Sequence, residues 1–239
     1  MRTFFLFLYQ PKLINLMKKN LVLFVLFILP IVAYLFFASG INSFAKLPTI
    51  TTNIPEINSW KTIDDKPVKL KGKITVLGFI GQDVLKHKGN VFNLYEKIFD
   101  RNKNFKDFQM VMIMPDGTQN QVKELQKILV SLGTQSGWNF VFGTPDEILE
   151  YYDSLKLVGK LDAKLGTPNV FIIDKNRNLR GRKGQDKKGK TEYKEGYNTK
   201  FVSELYNQMI DDIKIILAEY RLALKKNHNA TKQLLSNEK

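Results

Sequence analysis

Lys73–Ile80 reads KITVLGFI, and Phe108–Met114 reads FQMVMIM. Each run is short and almost unbroken in apolar character, and the first is rich in β-branched residues. That pattern suits a strand buried on both faces. Between them Val91, Leu94, Tyr95, Ile98 and Phe99 recur at helical spacing. Pro115-Asp116-Gly117 ends the second strand as a turn.

Downstream, Val122, Leu125, Ile128, Leu129 and Leu132 mark a second helix that Gly133 stops. Trp138–Phe142 (WNFVF) is a third strand. Thr144-Pro145-Asp146-Glu147 predicts a helix start, with threonine as cap, proline in the first turn and an acid three residues after the cap. Val170–Ile173 is a fourth strand, and Asp174–Asn178 turns the chain into Leu179-Arg180-Gly181. A final helix from about residue 199 to 225 carries Phe201, Leu205, Met209, Ile213, Ile216, Leu217, Tyr220 and Leu224 on its apolar side. Upstream, Ile57, Trp60, Ile63, Val68 and Leu70 flank Asp64-Asp65-Lys66-Pro67, a β-hairpin pattern. The order is that of an α/β domain with a mixed sheet.

Residues 21–38 read LVLFVLFILPIVAYLFFA, without a charge. At 1.5 Å per residue this helix is roughly 27 Å long, about one hydrocarbon core. Lys18 and Lys19 precede it, so the N-terminus is expected inside and the following domain outside. The run is long for a signal peptide, and bulky Phe36 spoils the small-x-small pattern before Ala38. The expected organisation is a cytoplasmic N-terminus (1–20), an uncleaved transmembrane anchor (21–39), a tether (40–56), a folded domain (57–226) and a disordered basic tail (227–239).

The formal net charge of +14 is unevenly spread. Residues 1–45 hold four basic residues and no acid, residues 175–200 net +7, and residues 225–239 net +3. The rest balances to zero, which argues against a nucleic-acid-binding face. There is no cysteine. Disulfides, thiolate metal sites and cysteine nucleophiles are therefore excluded together.

The ordered set from PEINSWKTIDDKPVKLKGKITVLGFI through WNFVFGTPDEILEYYDSLKL to the Asp-turn hairpin and final helix resembles the thioredoxin superfamily. It is similar to its SenC/Sco-type membrane-anchored branch over roughly residues 54–224. GTPNVFIID (166–174) is more like the Gly-x-Pro loop of membrane-tethered thiol reductases. The resemblance implies a three-layer thioredoxin-like fold with a mixed central sheet, tethered at the bacterial inner membrane with its domain in the periplasm. It also implies a role in assembly or copper delivery through a Cys-x-x-x-Cys loop and a distal histidine. Here the loop is Ile80-Gly81-Gln82-Asp83-Val84-Leu85, and the distal position falls near Leu165 or Gly166. Neither thiol chemistry nor a soft thiolate site carries over.

The expectation is thus a redox-inactive domain, with no cofactor and no metal, that binds a protein partner. Candidate binding residues are Gly81, Gln82, Asp83 and Val84 with Thr167 and Pro168, the last two read as a cis-proline turn beside a peptide groove. Asp83 is expected to pair with Lys86 or Lys88. His87 reads as a solvated surface residue. A cationic loop with Arg180, Arg182, Lys183, Lys187, Lys188 and Lys190 reads as a solvated hairpin tip or a contact for anionic lipid over 180–194. A non-thiol copper carrier and a lipid-contacting structural domain are the alternatives.

Overall fold

A computed structural model describes residues 10–39, 46–57, 59–185 and 189–237, with side chains described for 21–35, 46–57, 59–185 and 189–223. The chain divides into two units at Phe44–Ala45.

The first unit holds α1 (Gln10–Ser39), with Pro30 inside it. Its large apolar side chains, from Leu21 to Leu35, lie open to solvent. Among residues so described, no helix is long and apolar enough to cross a membrane.

The second unit is built on the two quoted runs. Both form strands in which every residue is buried: β2 (Ile74–Ile80) and, after the helix described below, β3 (Phe108–Pro115). They pair in parallel from Ile74↔Phe108 to Phe79↔Ile113. Side chains alternate between two cores, as a period of two requires. Ile74, Val76, Met110, Met112 and Met114 enter one core, while Leu77, Phe79, Val111 and Ile113 enter the other.

β1 (Thr49–Thr51) is an edge strand that pairs with Leu179–Arg180. The tether reading of 40–56 is corrected here: residues 40–45 lie outside the described residues, but Leu47 and Ile54 are buried and Thr49–Thr51 belongs to the sheet. The expected hairpin at 57–70 reduces to one bridge, Lys61↔Pro67, closed by Thr62 N–H to the Lys66 carbonyl. This stretch covers the second core instead, through Ile57, Trp60, Val68 and Leu70.

The helix expected after β2 is composite. A 3-10 turn (Leu85–His87) leads into α2 (Lys88–Leu94), a π-helical turn (Tyr95–Phe99) and α3 (Asp100–Asn102). After β3 come α4 (Gln119–Leu132), β4 (Trp138–Gly143) and α5 (Pro145–Ser154). The capping box at Thr144 forms as read: its hydroxyl accepts from Glu147 N–H, and Glu147 accepts from Thr144 N–H.

β5 (Gly166–Ile173) starts four residues earlier than the apolar pattern indicated. It is followed by β6 (Leu179–Arg180), the hairpin β7 (Arg182–Gln185) and β8 (Thr191–Lys194), and β9 (Tyr197–Asn198). The sheet order is β1-β6-β5-β2-β3-β4, with β9 also on β5. β2, β3 and β4 are parallel, while β5 runs antiparallel to β2, so the sheet is mixed as expected.

α6 (Val202–Glu204), a second π-helical turn (Leu205–Met209) and α7 (Ile210–Asn237) close the chain. The last helix therefore continues through most of the segment read as a disordered tail. Helices α2, α4 and α7 cover one face of the sheet; α5 and residues 54–70 cover the other.

Candidate functional site

β2 ends and β5 begins at the same place, because Ile80 and Gly166 are register partners. The chain leaves β2 through Gly81, whose φ is +77°. A Cβ at Gly81 would lie 2.6 Å from the Lys164 carbonyl oxygen and 2.8 Å from Gly166 N. Only glycine has both the conformation and the room. The next residue completes the closure, with Gln82 N–H donating to the Lys164 carbonyl at 2.9 Å.

Residues 162–166 are shaped by Asp162. Its Oδ1 accepts from Lys164 N–H and Gly166 N–H, each at 2.9 Å. Leu165 takes a φ of +63° inside this turn. Gln121 of α4 holds the other side of the Gly81 loop. Its Nε2 donates to the Gln82 carbonyl at 3.0 Å, and its Oε1 accepts from Leu85 N–H.

Asp83 pairs with Lys164, at 2.6 Å, and not with Lys86 or Lys88 as the sequence reading had it. The donated Lys164 hydrogen bond holds the Asp83 carboxyl below its ordinary range, slight desolvation works against it, and the nearby charges of Lys164, Lys86 and His87 add to the lowering. Of the four loop candidates, Gly81 and Val84 are buried, Gln82 is exposed and Asp83 is half-buried. Val84 is a core residue here and offers no surface to a partner.

Thr167 and Pro168 are brought beside this loop by β5, but the cis expectation is corrected: no cis peptide occurs among the described residues. The peptide groove also changes. Asn169 pairs with Asn198 and Val170 with Tyr197, so β9 occupies the outer edge of β5. Thr199 extends the closure, its N–H and Oγ1 donating to the Pro168 carbonyl at 2.9 and 2.8 Å. A partner strand finds this edge already taken by the chain itself.

What stays open is a cavity of about 70 Å³ on the helix side of the Pro168 turn. Its floor includes Gly78, Met112 and Val170, the buried Thr199 lines it, and His87, Asn90, Asp162, Thr167 and Lys200 stand at its mouth. A Cβ at Gly78 would lie 2.8 Å from Met112 Sδ, so this glycine keeps the floor open. His87, read as a solvated surface residue, is half-buried at the mouth.

The cationic loop does not assemble as one patch. Arg180 is buried and donates to Asp174 (2.9 Å), Glu219 (3.0 Å) and the Leu47 carbonyl. A buried guanidinium needs such partners to offset its lost hydration. Arg182 is tied to Asp212 (2.8 Å) and Glu192 (3.1 Å). Lys183 and Lys190 are at the surface, and Lys187 and Lys188 lie outside the described residues.

Sequence reasoning missed Asp162, Lys164, Gln121, Asn90, Thr199 and Lys200. An aspartate before a glycine turn is a readable signal for Asp162. Gln121 carries none, since its role depends on where α4 docks.

Copper, which the family resemblance implies, does not fit these residues. Among the described residues no three of His, Cys, Asp and Glu converge. His87 and Asp162 share the cavity with Met112 as its only sulfur.

No protein-family model matches the chain, and no curated protein matches it. Among solved structures, it is similar to BsSco, a member of the Sco family of cytochrome c oxidase assembly proteins. Identity is 16%, covering 72% of this chain and 98% of that one, with a TM-score of 0.51. The fold is thioredoxin-like. A putative protein disulfide isomerase from Bacteroides thetaiotaomicron (16% identity, 73% and 95% covered, TM-score 0.48) lies further off. So does copper-bound ScoI from Arabidopsis thaliana (18% identity, 71% and 99% covered, TM-score 0.42). The structural neighbours are thus Sco-family and thioredoxin-like proteins, and at these identities the likeness is one of fold. This chain lacks the thiols for disulfide exchange.

Proposed function

We propose that this chain is a membrane-anchored thioredoxin-like domain that binds a protein partner without redox chemistry, in the manner of an assembly factor. The observation that carries the reading is the treatment of the Gly81–Asp83 loop. It has no sulfur, yet it is held by Gly81, Asp162 and Gln121 beside an open cavity. Its contacts are polar and mostly to backbone, the kind that fix a shape for recognition and not the kind that tune a nucleophile.

The anchor reading rests on α1 and its uncharged 21–38 segment, whose large apolar side chains from Leu21 to Leu35 are exposed. Water does not stabilise such a surface, and a hydrocarbon core does. With Lys18 and Lys19 on the inner side, the domain stands in the periplasm of a bacterial inner membrane. The membership of BsSco in a family of cytochrome c oxidase assembly proteins supplies the context for a partner, by likeness of fold alone.

The test is a photo-crosslinking amino acid placed at Gln82 or at Asn90 in the full chain, in native membranes, with Lys69 as an exposed control on the other face of the sheet. A discrete protein adduct at the first two sites and none at Lys69 is the expected result. Equal adducts at all three sites, or none at any, would reject the reading.

A further inference from the structure

The cavity continues into a surface that none of the loop residues forms. Lys200 at its mouth is followed by Phe201, 60% exposed, and by Val202, 39% exposed. One helical turn on, Tyr206 is 53% exposed, and the Arg101 guanidinium sits 5.4 Å from its ring centroid. Asn93 Nδ2 donates to the Thr199 carbonyl at 3.0 Å, which ties the α2 side of this surface to the α6 side. Two π-helical turns, Tyr95–Phe99 and Leu205–Met209, adjoin it. Such turns widen a helix and often mark functional places.

The charges on this face are one-sided. Its acids are engaged: Asp83 with Lys164, Glu96 with Lys97, Asp100 with Lys103 and Glu204 with Lys194. Asp162 is engaged with backbone N–H groups. Lys86, Lys88, Arg101 and Lys200 form no ion pair among the described residues. Lys200 thus lies at the cavity, Lys86 and Lys88 flank its lining residue His87 in sequence, and Arg101 sits on the exposed Tyr206 ring, so unpaired cations outnumber the one carboxylate on this face without an ion pair among the described residues, Asp162. Exposed aromatics at a cationic rim are the composition of a protein-docking surface.

From this geometry we infer that the face formed by Lys86, Lys88, Arg101, Lys200, Phe201 and Tyr206 docks an acidic protein segment that places one short aliphatic side chain in the cavity. The segment lies across the face and does not add a strand, because β9 and Thr199 already fill the edge of β5. The cavity of about 70 Å³, with Gly78, Met112 and Val170 on its floor, gives a short aliphatic side chain an apolar seat. This inference rests on the protein-binding reading above and names the chemistry of the partner.

The probe is a fluorescent peptide, Asp-Glu-Leu-Asp-Glu, titrated into the full chain in nonionic detergent and followed by anisotropy and by amide chemical shifts. Binding is expected to perturb residues 86–93 and 199–206 and to weaken as salt is raised. The combined Lys86→Glu, Lys88→Glu and Lys200→Glu variant is expected to lose about tenfold or more in affinity, while Lys69→Glu with Lys71→Glu changes it by less than about twofold. Replacing the peptide leucine by serine, or Phe201 and Tyr206 by alanine, lowers affinity at low salt without changing the salt slope. Four results would overturn the inference: no shifts at millimolar peptide, equal binding of the lysine counterpart, shifts mapped elsewhere, or perturbation of this face only by phosphatidylglycerol vesicles. If membrane crosslinks form at Gln82 and Asn90 while the peptide does not bind, the docking reading stands and the acidic chemistry falls.

Discussion

β2 and β5 run side by side from the Ile80–Gly166 end to the Thr75–Ile173 end, and the two ends are finished by opposite means. At the Ile173 end the chain turns on Asp174, which accepts from Asn176 N–H, Asn178 N–H and the buried Arg180. Arg180 then reaches Glu219 on α7 and the Leu47 carbonyl before β1. Three separate parts of the chain are held by one guanidinium out of water. At the Ile80 end the loops meet as backbone, through Gly81 and a single amide hydrogen bond, and the one ion pair is only partly buried. The difference teaches where each end can change. A buried charge network tolerates no lost partner, whereas a glycine contact tolerates almost any polar neighbour but no side chain of its own.

The largest effect should therefore come from the end remote from the site. Arg180→Ala leaves Asp174, 1% exposed, without its cation and the Leu47 carbonyl without a donor. Breaking a buried pair on one side costs about 3–5 kcal/mol. Urea unfolding should report a loss of that size, while an Arg180→Met change loses less if its stem still fills the space. A loss under about 1 kcal/mol for Arg180→Ala would mean the network is solvated, and the contrast between the ends would fail.

Gly81→Ala comes next. The new methyl meets the Lys164 carbonyl oxygen and Gly166 N, both backbone, at a φ of +77°. Strain of this kind costs about 1–3 kcal/mol, and the loops must part to relieve it. The expected outcome is a lower urea midpoint together with weaker amide protection at Gln82, whose N–H bonds to Lys164. Unchanged protection at Gln82 would show that the close approach is not what holds the loop.

The parts of the fold that declare themselves in sequence are those with local period. The strands at KITVLGFI and FQMVMIM, the Thr144 cap and the antiparallel turn at Asp174 all follow from residues within a few positions of one another. The Gly81 loop was found by its place after the first strand. What stayed hidden depends on distant partners. Lys164 meets Asp83 across 81 positions, and Arg180 meets Glu219 across 39. An arginine among eight lysines and arginines within 175–190 reads as solvated, because nothing local shows the acids that bury it. β9 is two residues long, too short for any alternation to show, yet it decides how a partner can approach.

The smallest effect belongs to the ion pair at the site end, and its sign follows from the Asp83 carboxyl. Lys164 holds that carboxyl below its ordinary value of 3.8 by donating to its charged form. A depressed folded value means that the pair contributes only above the unfolded value and that the contribution disappears as pH falls through the folded one. The window therefore lies below about pH 4, well under neutrality. A carbon-detected NMR titration should place the Asp83 carboxyl below 3.8, and Lys164→Met should move it upward. At neutral pH, Asp83→Asn should lower the urea midpoint only slightly, far less than Gly81→Ala, because both partners are in contact with water. An Asp83→Asn loss as large as that of Gly81→Ala would reverse the assignment, making charge and not backbone approach the fastening of this end.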